Sequence, residues 1–92
     1  MSGVDSGTVL HFPPHVKFRL DEKRQAWIVL APERLLLPDE QAVEILKLVD
    51  GQRSVGAIID ELAREFDAGR AEIAGDVETM LQDLINKKVL QR

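Results

Sequence analysis

Ninety-two residues, 45% hydrophobic and 30% charged, fit one small globular domain and exclude a disordered or membrane-spanning chain. The formal net charge of −4 argues against a domain that draws its affinity from neutralising phosphates, and equally against anionic membrane surfaces. Zero cysteines remove disulfides, thiolate metal sites and thiol nucleophiles together; no signal-peptide pattern opens the chain and residue 2 is Ser rather than Gly, so a cytoplasmic location is expected.

Residues 1–14 mix Gly, Ser, Asp and a Pro-Pro pair with few apolar positions, and they read as a mobile or loosely docked arm ahead of a domain over 15–92. From Val16 the pattern alternates: Val16, Phe18 and Leu20 fall on one face, Lys17 and Arg19 on the other, as in a half-buried strand. A charged turn over 21–24 leads into a second strand, 26–30, rich in aromatic and branched residues, and the two pair as a hairpin with Trp27 as an anchor. Pro32 interrupts, and Arg34, Leu35, Leu36 and Leu37 form a third, short strand bracketed by Pro32 and Pro38.

After Pro38 the period changes from two to 3.6. Asp39 is a good N-cap for a first helix whose face is Ala42, Ile45, Leu46 and Val49 and whose stop is Asp50-Gly51. Ser54 caps a second helix with Val55, Ile58, Ile59, Leu62 and Phe66 at three-and-four spacing. A turn over 67–69 precedes a third helix over 70–87, striped by Ile73, Val77, Met80, Leu81 and Leu84; Val89 and Leu90 are read as a short terminal strand. Three strands followed by three helices belong to the α+β class, with the helices packed on one face of a small antiparallel sheet.

Little in the chain points to catalysis. Pro13 and Pro14 keep His11 and His15 off a common helical face, and without cysteine or a third nearby histidine no metal site is expected. Ser54 lacks a downstream base, the carboxylates fall on solvated faces, and the six glycines are scattered. No catalytic residue, metal or cofactor is assigned. Helices two and three resemble a helix-turn-helix pair, so a winged-helix DNA-binding regulator is the alternative function. In the third helix, however, Arg70, Lys87 and Lys88 face Glu72, Asp76, Glu78 and Asp83, a poor balance for a recognition helix. The leucines of the third strand are either core or an exposed edge that captures an extended peptide by strand addition.

The run Trp27-Ile28-Val29-Leu30-Ala31-Pro32-Glu33, then Ile45-Leu46-Lys47-Leu48-Val49-Asp50-Gly51, Ser54-Val55, Leu62-Ala63 and Asp76-Val77 resembles the PqqD family, the small peptide chaperones of pyrroloquinoline quinone (PQQ) biosynthesis. That family is the founding example of the precursor-peptide recognition elements of ribosomally made natural products. The likeness covers about 16–90, and Pro38 departs from it, since an apolar residue able to continue the strand is expected there. The resemblance implies a winged-helix-like fold and no catalysis. It implies two partners, the precursor peptide and a radical S-adenosylmethionine (SAM) enzyme that crosslinks the peptide's Glu and Tyr side chains; nucleic acid and membrane are not among them. It further implies that the peptide binds as a fourth strand against the third, in the groove made with the third helix. That nominates Arg34, Leu35, Leu36 and Leu37 on the strand and Asp76, Met80, Asp83 and Lys87 on the helix, the opposite rim being Ala74, Leu81 and Ile85. An open apolar edge also invites pairing, so the chain is expected as a monomer or as a homodimer that exchanges its first hairpin about Ala31-Pro32.

Overall fold

The computed structural model describes residues 4–32 and 34–92. Residues 1–3 of the expected arm and Glu33 of the Pro-Glu motif lie outside the described residues. Three strands, β1 (Lys17–Asp21), β2 (Ala26–Ala31) and β3 (Arg34–Leu36), form an antiparallel sheet in the order β1-β2-β3. Three helices follow, α1 (Glu40–Leu46), α2 (Val55–Phe66) and α3 (Arg70–Asn86). The α+β architecture is the one the change of period predicts.

The hairpin closes on Asp21, whose Oδ1 accepts from the Lys23 and Arg24 backbone N–H groups while Oδ2 accepts from the Arg24 guanidinium at 2.6 Å. Gln25 takes a left-handed φ of 51° to re-enter the sheet. Phe18 stands opposite Val29, and Val29 opposite Leu36. These three therefore share the inner face and pack on the core. β2 is central, and both Ile28 and Val29 are buried. Leu20, expected inward, is 50% exposed near the far end of β1, opposite Trp27.

α1 begins where Asp39 Oδ1 accepts from the Ala42 N–H at 2.8 Å. It ends earlier than its apolar spacing suggests. Leu48 and Val49 donate to Ile45 and Leu46, three residues back, so the chain tightens after Leu46 before the Asp50 turn. α2 runs as expected, from the Ser54 cap, which accepts from the Ala57 N–H, to Asp67 in the left-handed region at φ 49°. Phe66, placed on the apolar stripe of α2, is 54% exposed, because the helix runs past the core before it ends. Val89 and Leu90 are fully buried but form no strand. Lys88 at φ 67° turns the chain after α3 so that both side chains drop into the core.

The described part of the expected arm is docked rather than loose. The Val55 N–H donates to the Thr8 carbonyl at 2.7 Å and the Gly56 N–H to the Ser6 carbonyl at 2.9 Å, so the arm satisfies first-turn donors of α2 that Ser54 does not reach. Val9 bridges Ser54 and His11 bridges Gln91, and between them Leu10 is 1% exposed within the core. The core joins Leu10, Val16 and Val29 to buried faces of all three helices and to Val89 and Leu90. Among the described residues it contains no buried charge. Packing holds this fold: the ion pairs found are exposed, and of them only Arg70–Asp60 spans two helices.

Candidate peptide-docking site

Among the described residues β3 has a strand neighbour on one side only, so its other side is an edge of the kind to which a further strand can add. Leu36 turns inward onto the core, while Leu35 is 40% exposed and Arg34 is exposed. Leu37 is a correction to the expected strand. It lies past the end of β3 and is 63% exposed, because Pro38 has no N–H with which to extend a ladder. β1 is also an edge, but Lys17 and Arg19 stand exposed along it and Asp21 to Arg24 close it with charge, the usual protection against pairing.

Immediately after the exposed leucines, Pro38 enters the wall of a groove of about 870 Å³. α1 contributes Glu40, Gln41, Val43 and Glu44, the end of α2 contributes Leu62, Glu65 and Phe66, and α3 contributes Glu72, Ile73, Asp76, Val77 and Met80. The α3 rim nominated in the sequence is thus divided. Asp76 and Met80 line this groove, whereas Asp83 and Lys87, the latter the C-cap of α3, lie one to two turns further along and pair with each other at 2.9 Å. None of the opposite rim lines it: Leu81 is fully buried, and Ala74 and Ile85 pack against the core. Neither this groove nor the hollow by β1 is lined by both the strand residues and the helix residues. Pro38 is the link between them.

Sequence reasoning missed most of this groove. Glu40, Glu65 and Glu72 were read as solvated helix faces and Phe66 as core; their convergence depends on how three helices distant in sequence pack. A second hollow, about 750 Å³, lies by β1. There Phe12, Phe18 and Trp27 stack in series with centroids 5.8 and 4.8 Å apart, and the Lys47 ammonium sits 5.3 Å from the Trp27 ring. This fills the face beneath the hairpin and fixes Trp27 at the border of both hollows.

The titration picture is that of a structural surface. Hydrogen bonding to the Arg24 side chain holds Asp21 below its usual value, and the backbone N–H groups of Arg53 and Gln52 do the same for Asp50. Neither carboxylate lines the groove. Among the described residues, no three His, Cys, Asp or Glu side chains are grouped to hold a metal ion, and no helix is long and apolar enough to cross a membrane.

With this geometry in place, comparison with known proteins gives a consistent answer. A family model described as "Coenzyme PQQ synthesis protein D (PqqD)" matches residues 26–90. A "PqqA binding protein" of Rhodopseudomonas palustris (strain BisB5) is 62% identical over 78 residues, 85% of this chain and 76% of the relative. The chain also superposes on the solution structure of the PqqD part of Methylobacterium extorquens PqqCD, described as a functional, stand-alone recognition element for ribosomally synthesised, modified peptides. The TM-score is 0.82 with 40% identity over 99% of this chain and 97% of that one. Against the crystal structure of PqqD from Xanthomonas campestris the TM-score is 0.62, with 31% identity over 97% and 99% of the two chains.

Proposed function

Since the chain belongs to the PqqD family, we propose that it is a noncatalytic peptide chaperone. It captures the PqqA precursor peptide as a fourth strand on β3 and presents it to a radical SAM enzyme for crosslinking of Glu to Tyr. The observation that carries the reading is the open β3 edge: exposed Arg34 and Leu35, with exposed Leu37 just beyond, leading through Pro38 to a groove that Asp76 and Met80 line. Main-chain pairing supplies affinity without chemistry, and alternate side-chain contacts supply selectivity. Asp83 and Lys87 extend the same face of α3. Their mutual ion pair leaves them to the rim, where charge steers encounter more than it holds. Ordering a flexible peptide on this edge lowers the entropic cost the enzyme meets in aligning the two reacting side chains.

Calorimetry with synthetic PqqA tests the first half of this. Leu36 is partly core, so the informative change is Leu35→Asp with Leu37→Asp, both on exposed positions. Binding should weaken about tenfold, roughly 1.4 kcal/mol, with an unchanged melting temperature. Wild-type affinity in that double variant and in Met80→Ala would remove the site from β3 and α3. For the second half, the radical enzyme should crosslink PqqA in the presence of the chain and fail to do so in its absence.

A further inference from the structure

The groove behind Pro38 concentrates charge. Five carboxylates line it, Glu40, Glu44, Glu65, Glu72 and Asp76, against the single ammonium of Lys47, an imbalance as large as the formal net charge of −4 on the whole chain. Lys47 is already engaged, 3.3 Å from Glu44 and over the Trp27 ring. Among the described residues Glu40, Glu65, Glu72 and Asp76 have no ion-pair partner, so the charge gathered at the groove is left largely uncompensated. Between the carboxylates the floor is apolar, formed by Val43, Leu62, Ile73, Val77 and Met80, with Phe66 left 54% exposed at its margin. A hollow of this kind is complementary to a cation carried beside apolar side chains.

Position identifies the occupant. β3 itself ends at Leu36, so a strand added to it runs out of main-chain partners just before Pro38, which is part of the groove wall. If the added strand continues the antiparallel order of the sheet, the residues on its N-terminal side arrive at this end of β3. We propose that the precursor peptide leaves β3 at Pro38 and lays a Lys or Arg flanked by apolar residues, from the N-terminal side of its paired stretch, into this groove. The groove thereby selects peptides by charge. This rests on the strand-addition reading and adds to it a second, electrostatic contact.

The test is a two-by-two titration. Synthetic PqqA, and a version in which each Lys and Arg on the N-terminal side of the paired stretch is Gln, are titrated into wild-type chain and into Glu72→Gln/Asp76→Asn, at low and high salt, with circular dichroism to verify the fold. Two exposed carboxylates facing a cation support an effect of about fivefold. The neutralised groove should weaken PqqA by that factor, the loss should vanish for the cation-free peptide, and high salt should erase the difference. If the groove variant binds PqqA within twofold of wild type while Leu35→Asp/Leu37→Asp loses it, the peptide is on β3 and the groove proposal fails alone. If neither variant loses affinity, strand addition fails too. A PqqA without a cation on that side that still binds tightly overturns the proposal directly.

Discussion

Asp50 carries a turn on one side chain: its Oδ1 accepts from the backbone N–H groups of Gln52 and Arg53, both at 2.9 Å, and these bonds hold its carboxyl below the ordinary 3.8. A carboxyl depressed by folding stabilises fully above its unfolded value, and the contribution is lost as pH falls through the lower folded value. Asp50→Asn should therefore lower the melting temperature at neutral pH, and the gap from wild type should narrow steadily below about pH 3.8, where the native carboxylate takes up its proton. Asp21→Asn should behave alike through loss of the Arg24 bond. A gap that widens toward acid would contradict the assignment. Gly51, at φ 77° beside this turn, was legible in the sequence as a left-handed position. What the sequence did not disclose is that the turn begins four residues beyond Leu46, the last residue of α1.

Among the elements, α2 was readable from Ser54 to Asp67 because its cap, its apolar spacing and its turn all agree. The end of α1 was not. Leu48 and Val49 keep helical spacing through a tightened turn, and periodicity alone cannot separate the two. The N-terminal segment, expected as a mobile or loosely docked arm, is held by contacts that leave no local pattern. Its anchorage is isolated bridges to Ser54 and Gln91, backbone bonds to the first turn of α2 and the buried Leu10, remote in sequence and without any period, so composition alone reads as an arm. Its energetic weight is that of core. Leu10→Ala should cost about 3 kcal/mol in urea unfolding, the range for a buried leucine, whereas a loose tail predicts no change. Gly56 gives an independent handle, since a Cβ there would meet Ser6 Cβ and its carbonyl oxygen at 3.1 Å. Gly56→Val should push the N-terminal segment off α2 and raise hydrogen exchange at the amides of residues 55 and 56, which in the wild-type chain donate to Thr8 and Ser6.

For the whole molecule, a short edge strand with exposed leucine was legible in the chain while the groove was not. Three leucines without alternation, bracketed by prolines, announce a strand with apolar character on both faces, and Leu36 inward with Leu35 outward is that outcome. The groove wall is assembled from α1, α2 and α3, so no local pattern marks it. One consequence belongs to the assembled domain alone. Pairing of two copies along β3 and addition of a peptide to β3 would use the same main-chain groups, so they exclude each other. Exchange of the first hairpin about Ala31-Pro32 instead keeps β3 beside a β2 and leaves its outer side open. Sedimentation over a concentration series, with and without saturating PqqA, separates these states. Edge-paired dimers should dissociate when PqqA is added, exchanged dimers should bind one peptide per chain and stay dimeric, and a monomer should show no dependence on concentration. Edge pairing that persists with PqqA bound would place the peptide somewhere other than β3.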